Sequence, residues 1–263
     1  MVGPIGFRGC TLPHTMTISR RLIPLAFVGT ALLIIGVLVS GFTLQPDYIV
    51  GAFSNMRAGG AINGWQEMTL GDVDKSAYSL VRENGQTVVR GDADDSASGM
   101  IRAFDLDANR FPVLTWRWKA ENVISGGNIR SKGGDDYPAR IYVTFDYDPS
   151  DLSFGDRIKY RALKALGYDD IPVRALSYVW ANRAGETQIV PNAYTDWVQM
   201  VPVESGPANL GTWRSERRDL VRDYRAAFGE DPPAISGVAI MTDADNTGGR
   251  ATAYFGDIRL STR

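Results

Sequence analysis

The chain has 263 residues, 44% of them hydrophobic, with 28 basic against 30 acidic side chains, which suits one large domain with a real core. Its single histidine, His14, and single cysteine, Cys10, both precede the apolar run at 22–44. The part beyond that run can therefore hold no Ser-His-Asp triad, no cysteine nucleophile, no histidine- or thiolate-bound zinc and no disulfide, so any chemistry there must use carboxylates, Tyr, Lys, Arg, Ser or an oxygen-bound cation.

Residues 1–44 read as an N-terminal leader. Arg20 and Arg21 precede an uncharged apolar helix at about 22–44, with the basic flank of an export signal and close to the roughly 20 residues that span a bilayer. An uncleaved signal anchor is preferred over a signal peptide cleaved near Val39-Ser40-Gly41. Met16-Thr17-Ile18-Ser19-Arg20-Arg21 is a conventional short basic leader, so Met16 is an alternative start. The positive-inside rule places the large C-terminal part outside the cytoplasm, with N-terminal membrane association. Without 1–44 the chain keeps 25 basic and 30 acidic residues, a balance that argues against a nucleic-acid partner and suits a glycan or another envelope component.

Residues 45–63 form a connector, with a first strand near 48–53. From 64 to 263 short apolar stretches recur between turn residues, at 65–70, 78–82, 87–91, 100–106 and 113–119, and Asn84-Gly85 marks a hairpin. Further strands are expected at 139–147, 175–182, 196–203, 235–242 and 251–260. In the first of these Ile141, Val143 and Phe145 alternate with Arg140, Tyr142 and Thr144, the period of a half-buried sheet. Two helices interrupt the strands, near 153–166 and 213–228. The first has Ser153 as cap and a basic, amphipathic surface; the second ends at Gly229, Pro232 and Pro233. Many strands without a βαβ rhythm predict an all-β chain with inserted helices, an antiparallel β-sandwich of jelly-roll type.

Three places carry candidate function. The turn Asp243-Ala244-Asp245-Asn246-Thr247-Gly248 groups hard oxygens and ends on glycine, and Asp257 on the following strand could add a ligand, so Asp243, Asp245 and Asp257 are the metal candidates, for a structural Ca2+ and no other cofactor. It is not an EF-hand, and an Asx-turn competes with the metal reading. The glycine-rich loop segment 126–140 leads into a core strand and supplies Asp135 and Asp136, while Arg140 and Tyr142 share one face of that strand. These four are the catalytic candidates for a polysaccharide hydrolase or lyase; Asp135, Asp136 and Arg140 are also ligand-binding candidates, with Trp197 and Trp213 as aromatic platforms. Trp116 and Trp118 share a strand face and read as core. A non-catalytic glycan- or envelope-ligand-binding sandwich is the preferred reading, the enzyme and a protein-interaction module the alternatives.

The ordered series Trp116-Arg117-Trp118, Asp135-Asp136-Tyr137-Pro138-Ala139-Arg140-Ile141-Tyr142-Val143, Tyr178-Val179-Trp180, Arg218-Asp219, Asp223-Tyr224, Phe228-Gly229 and Asp243-Ala244-Asp245-Asn246-Thr247-Gly248 resembles the bacterial family called domain of unknown function 3047. The resemblance implies an envelope or periplasmic protein and assigns no activity. Tyr254-Phe255-Gly256-Asp257-Ile258-Arg259-Leu260 resembles the closing strand of jelly-roll carbohydrate-binding modules, which implies the same fold.

Overall fold

The computed structural model describes residues 47–165 and 173–263. The chain divides into Met1–Thr43 and Leu44–Arg263, and the described residues belong to the second unit. The expected leader lies outside the described residues. Among the described residues no helix is long and apolar enough to cross a membrane.

The strands are β1 (Tyr48–Gly51), β2 (Gln66–Thr69), β3 (Ala77–Glu83), β4 (Gln86–Asp94), β5 (Ala97–Leu106), β6 (Val113–Ala120), β7 (Tyr137–Phe145), β8 (Ala175–Ala181), β9 (Val190–Pro191), β10 (Val198–Ser205), β11 (Arg214–Asp219), β12 (Ile235–Asp243), β13 (Arg250–Phe255) and β14 (Ile258–Ser261). Helix α1 (Phe154–Ala165) lies between β7 and β8, and α2 (Leu220–Phe228) between β11 and β12. One sheet of seven strands runs β1-β14-β6-β13-β4-β3, with β11 on the other edge of β6; a second, also of seven, runs β2-β5-β12-β7-β8-β10-β9.

The pairs β4 with β13, β5 with β12 and β6 with β11 are nested along the chain and fall alternately in the first, second and first sheet. A long antiparallel ribbon wound over two layers produces that order, and it makes the sandwich a jelly-roll type. Pairing is antiparallel throughout except between β8 and β10, which run parallel, because the long 182–197 segment between them lets the chain cross over instead of reversing in a hairpin. The β3–β4 turn has Asn84 at φ 49° and Gly85 at φ 81°, the two left-handed residues of a type I′ hairpin.

Alternation decides the core. Leu114, Trp116, Trp118 and Ala120 of β6 point inward and are buried, as are Ile141, Val143 and Phe145 of β7. Trp116 meets Trp118 edge to face at 5.4 Å and Tyr178 at 5.3 Å, and Trp118 lies 6.0 Å from Trp180, so four rings interlock between the layers. Burying side chains such as Ile141 or Phe255 contributes about 1.5–3 kcal/mol each.

The helices differ from expectation in one respect. α1 is where Ser153 predicts it: the Ser153 hydroxyl donates to Asp156 at 2.6 Å and accepts from its N–H. The second helix covers only Leu220–Phe228, capped by Asp219 accepting from the Arg222 N–H at 3.0 Å. Residues 214–219, expected as its first turns, pair with β6 instead. They have a sheet edge to complete, and Arg218 reaches inward to buried Asp223 with bonds of 2.7 and 2.8 Å.

Candidate functional site

β7 starts where the glycine-rich loop ends, and its antiparallel neighbour β12 ends where the acidic turn begins. The register sets Tyr137 opposite Asp243, so the two loops meet at one end of the second sheet. Arg140, Tyr142 and Asp243 emerge from the outer face of that sheet.

Arg140 is the hub of the meeting point and is 2% exposed. Its Nε donates to Asp243 Oδ1 at 2.7 Å, Nη2 donates to Asp243 Oδ2 and to the Asp135 carbonyl, and Nη1 donates to the Tyr142 hydroxyl at 3.0 Å. The Tyr137 ring lies 4.2 Å from the guanidinium, a cation–π contact on its flat side. Burial drives the Asp243 carboxyl well above the usual range and Arg140 opposes it.

Asp136, wholly buried, is satisfied from the acidic turn. It accepts from Asn246 N at 3.1 Å, Asn246 Nδ2 at 3.2 Å, Thr247 N at 2.8 Å and the Thr247 hydroxyl at 2.6 Å. Its carbonyl accepts from Asn182 Nδ2 at 2.6 Å, and Asn182 Oδ1 takes the Ile124 N–H at 2.7 Å. Such a carboxylate staples two loops together.

Asp135 differs. Its Oδ2 accepts from Asn192 Nδ2 at 2.8 Å, whereas buried Oδ1 has no hydrogen-bond partner and lies 3.8 Å from Arg140 Nη1. Burial raises its pKa and Arg140 holds the rise in check. Burial also raises the Tyr142 hydroxyl, again opposed by Arg140. A carboxyl raised by burial, a tyrosine and an arginine are groups of the acid–base type.

Among the described residues, carboxylate oxygens of Asp136, Asp243 and Asp245 lie within 4.8 Å of one another. Asp257 is elsewhere: its two oxygens accept from Ser54 N at 2.8 Å and the Ser54 hydroxyl at 2.6 Å. The set fits calcium poorly, since Asp136 already takes four donors and Asp243 is paired with Arg140, while calcium calls for six to eight oxygen ligands. Calcium would have to be held by Asp245 with whichever of these oxygens it could displace from their donors.

Of the two expected platforms, Trp197 is 1% exposed and packs with Leu152, Val173 and Tyr160, so no ring face is open to a ligand. Trp213 is half-buried and lies next to the start of β11, on the outer face of the first sheet, away from the Arg140 hub. Register extends a row from it through Lys119 of β6 and Tyr254 of β13 to Arg90 of β4. The Trp213 and Tyr254 centroids are 6.4 Å apart with planes at 57°. Arg117 lies 4.5 Å from the Trp213 ring and Lys119 4.3 Å from the Tyr254 ring. Lys119 pairs with Glu83 at 2.7 Å and Glu121 at 2.8 Å, and Arg90 with Asp92 at 2.7 Å. Lys119 and Tyr254 were legible only as outward positions in their strands; nothing local says that β6 and β13 are neighbours. Asn182 and Asn192, which hold Asp136 and Asp135, carry no sequence signal at all.

A search of the curated proteins returns no match. Among solved structures, the chain is similar to the family 11 carbohydrate-binding module from Clostridium thermocellum in complex with a β-1,3-1,4-mixed-linked tetrasaccharide, at 10% identity and TM-score 0.42, covering 82% of this chain and 95% of that one. The family 30 carbohydrate-binding module of a Clostridium thermocellum cellulosomal cellulase matches at 14% identity and TM-score 0.34, over 84% and 96%. The K3 cleaved adhesin domain of Lys-gingipain from Porphyromonas gingivalis matches at 11% and 0.37, over 82% and 100%. Residues 63–259 match the family model described as "Protein of unknown function (DUF3047)", from the end of the connector to the closing strand, and the chain belongs to that family.

Proposed function

We propose that the chain is an exported, non-catalytic glycan-binding sandwich whose ligand lies across the outer face of the first sheet. The row Trp213, Lys119, Tyr254 and Arg90 carries this reading. Two half-buried rings 6.4 Å apart offer apolar surface of the width of a sugar ring, and the ion pairs around them offer donors and acceptors for hydroxyls. Arg90, Arg117 and Lys119 are matched by Asp92, Glu83 and Glu121, so the face suits a neutral glycan rather than a polyanion. The pairing of Asp243 with Arg140 and of Asp136 with Asn246 and Thr247 supports a structural role for the loop junction.

Titration calorimetry against a panel of neutral polysaccharides tests the proposal. Trp213→Ala is expected to weaken binding on the order of tenfold to hundredfold, as removal of an aromatic anchor does. Absence of binding to every member, or binding indifferent to both Trp213→Ala and Tyr254→Ala, would sink it. Fractionation of cells producing the full chain tests export.

One observation favours an enzyme instead: the unpartnered Asp135 Oδ1 beside Arg140 and Tyr142. Sugar release from a polysaccharide, abolished by Asp135→Asn or Tyr142→Phe in folded protein, would replace the binding reading with a hydrolase or lyase.

A further inference from the structure

Among the described residues four large hydrophobic side chains are exposed, and the two most exposed share one helix: Phe154 at 75% and Ile158 at 55%. They are four apart on α1 and so project from one side. Arg157 and Arg161, both exposed, fall on that side at the next helical intervals, with Lys164 beside them. The side of the helix that carries Tyr160 is fastened to the sandwich, where Tyr160 meets Trp197 at 6.0 Å within a cluster of Leu152, Val173 and Tyr147. The single acid of the helix, Asp156, is turned to Ser153.

A soluble helix places its apolar stripe inward and its charges outward. α1 has Tyr160 inward and also an apolar pair outward, framed by arginines, on a domain whose overall charge is acidic. An apolar pair framed by basic groups matches the boundary of an anionic lipid bilayer, where apolar side chains enter the acyl region and long basic ones stay at the phosphates.

We propose that α1 is a docking surface for an anionic membrane, with Phe154 and Ile158 inserted and Arg157 and Arg161 at the lipid phosphates. The proposal is independent of the glycan face, which is on the outer side of the other sheet. It also stands apart from the expected N-terminal anchor, which would bring the domain to a membrane without choosing which side faces it.

The test uses the full chain in vesicles, with Cys10→Ser removing the native thiol and Gly155→Cys carrying an environment-sensitive fluorophore. A Cβ at Gly155 meets nothing within 4 Å. In vesicles of equal parts phosphatidylglycerol and phosphatidylcholine the probe should shift to the blue and be quenched by a lipid-borne quencher; in pure phosphatidylcholine it should not. The docked-to-undocked ratio should fall about fivefold for each of Arg157→Gln and Arg161→Gln, and the response should vanish in Phe154→Ser with Ile158→Ser. All four positions are exposed, and an unchanged thermal melt verifies the fold. No response in the anionic vesicles overturns the proposal, as does a response equal in both lipids and insensitive to the arginine changes. Concentration-dependent self-association abolished by Phe154→Ser, without a vesicle response, would assign the stripe to a second copy and also overturn it.

Discussion

Arg140 and Asp243, 103 residues apart in sequence, form a two-pronged ion pair in which both side chains are almost wholly buried. Breaking one side leaves the other charge uncompensated away from water. Asp243→Ala is therefore expected to cost about 3–5 kcal/mol in urea-induced unfolding, and the double change Arg140→Met with Asp243→Leu to recover much of that loss. If Asp243→Ala were neutral, the pair would not be the junction's fastening.

Asp135 makes stability depend on pH. In the unfolded chain its carboxyl titrates near the ordinary 3.8; burial raises it in the folded protein. Between those two values the native state holds a proton that the unfolded chain has released, so unfolding free energy falls as pH rises through the window and levels off above the raised value. Asp135→Asn removes the term. Relative to the parent, the variant should gain stability as pH climbs above the ordinary carboxylate value of 3.8, by at most about 1.4 kcal/mol per pH unit. Parallel urea curves for the two proteins across that range would contradict it.

Gly127 is a packing glycine. A Cβ there would sit 2.0 Å from Asn182 Nδ2 and 2.5 Å from its Cγ, and Asn182 is the side chain that holds the Ile124 amide and the Asp136 carbonyl. Gly127→Ala should lower stability by about 1–3 kcal/mol through this overpacking. Gly133→Ala in the same loop, where nothing lies within 4 Å, should be near neutral; equal effects on thermal melting would show that the contact with Asn182 is not the cause.

Calcium is expected to leave the melting temperature unchanged, because the donors on Asp136 and the Arg140 partner of Asp243 already occupy the oxygens a cation would need. A ligand that binds only the folded state raises the melting point as its concentration passes its Kd. A rise in millimolar calcium, reversed by chelator and lost in Asp245→Asn, would instead assign a structural site to the turn.

The strand pattern and the candidate residues were legible locally to very different extents. Period-two alternation marks β7 and the Trp116–Trp118 face because inward and outward side chains differ in polarity at every step. The same rule cannot tell Trp197 from Trp213: both stand near strand ends, and only packing buries the first behind Tyr160 and leaves the second half-open. Residues 214–219 carry charged side chains that suit a helix surface, and tertiary pairing with β6 overrides that local preference.

Residue type and local spacing were enough for a mostly β chain with two helices, the hairpin at Asn84-Gly85, the capped start of α1 at Ser153, and the absence of histidine and thiol chemistry beyond residue 44. Those are matters of residue type and spacing along a few turns of chain. That Asp136 staples the acidic turn, that Arg140 takes Asp243, that Asp257 holds Ser54 instead, and that Trp213 and Tyr254 flank Lys119 were decided by strand pairing between segments that are distant in the chain. Register is set by the burial of whole strand faces, a property that no short stretch of sequence contains.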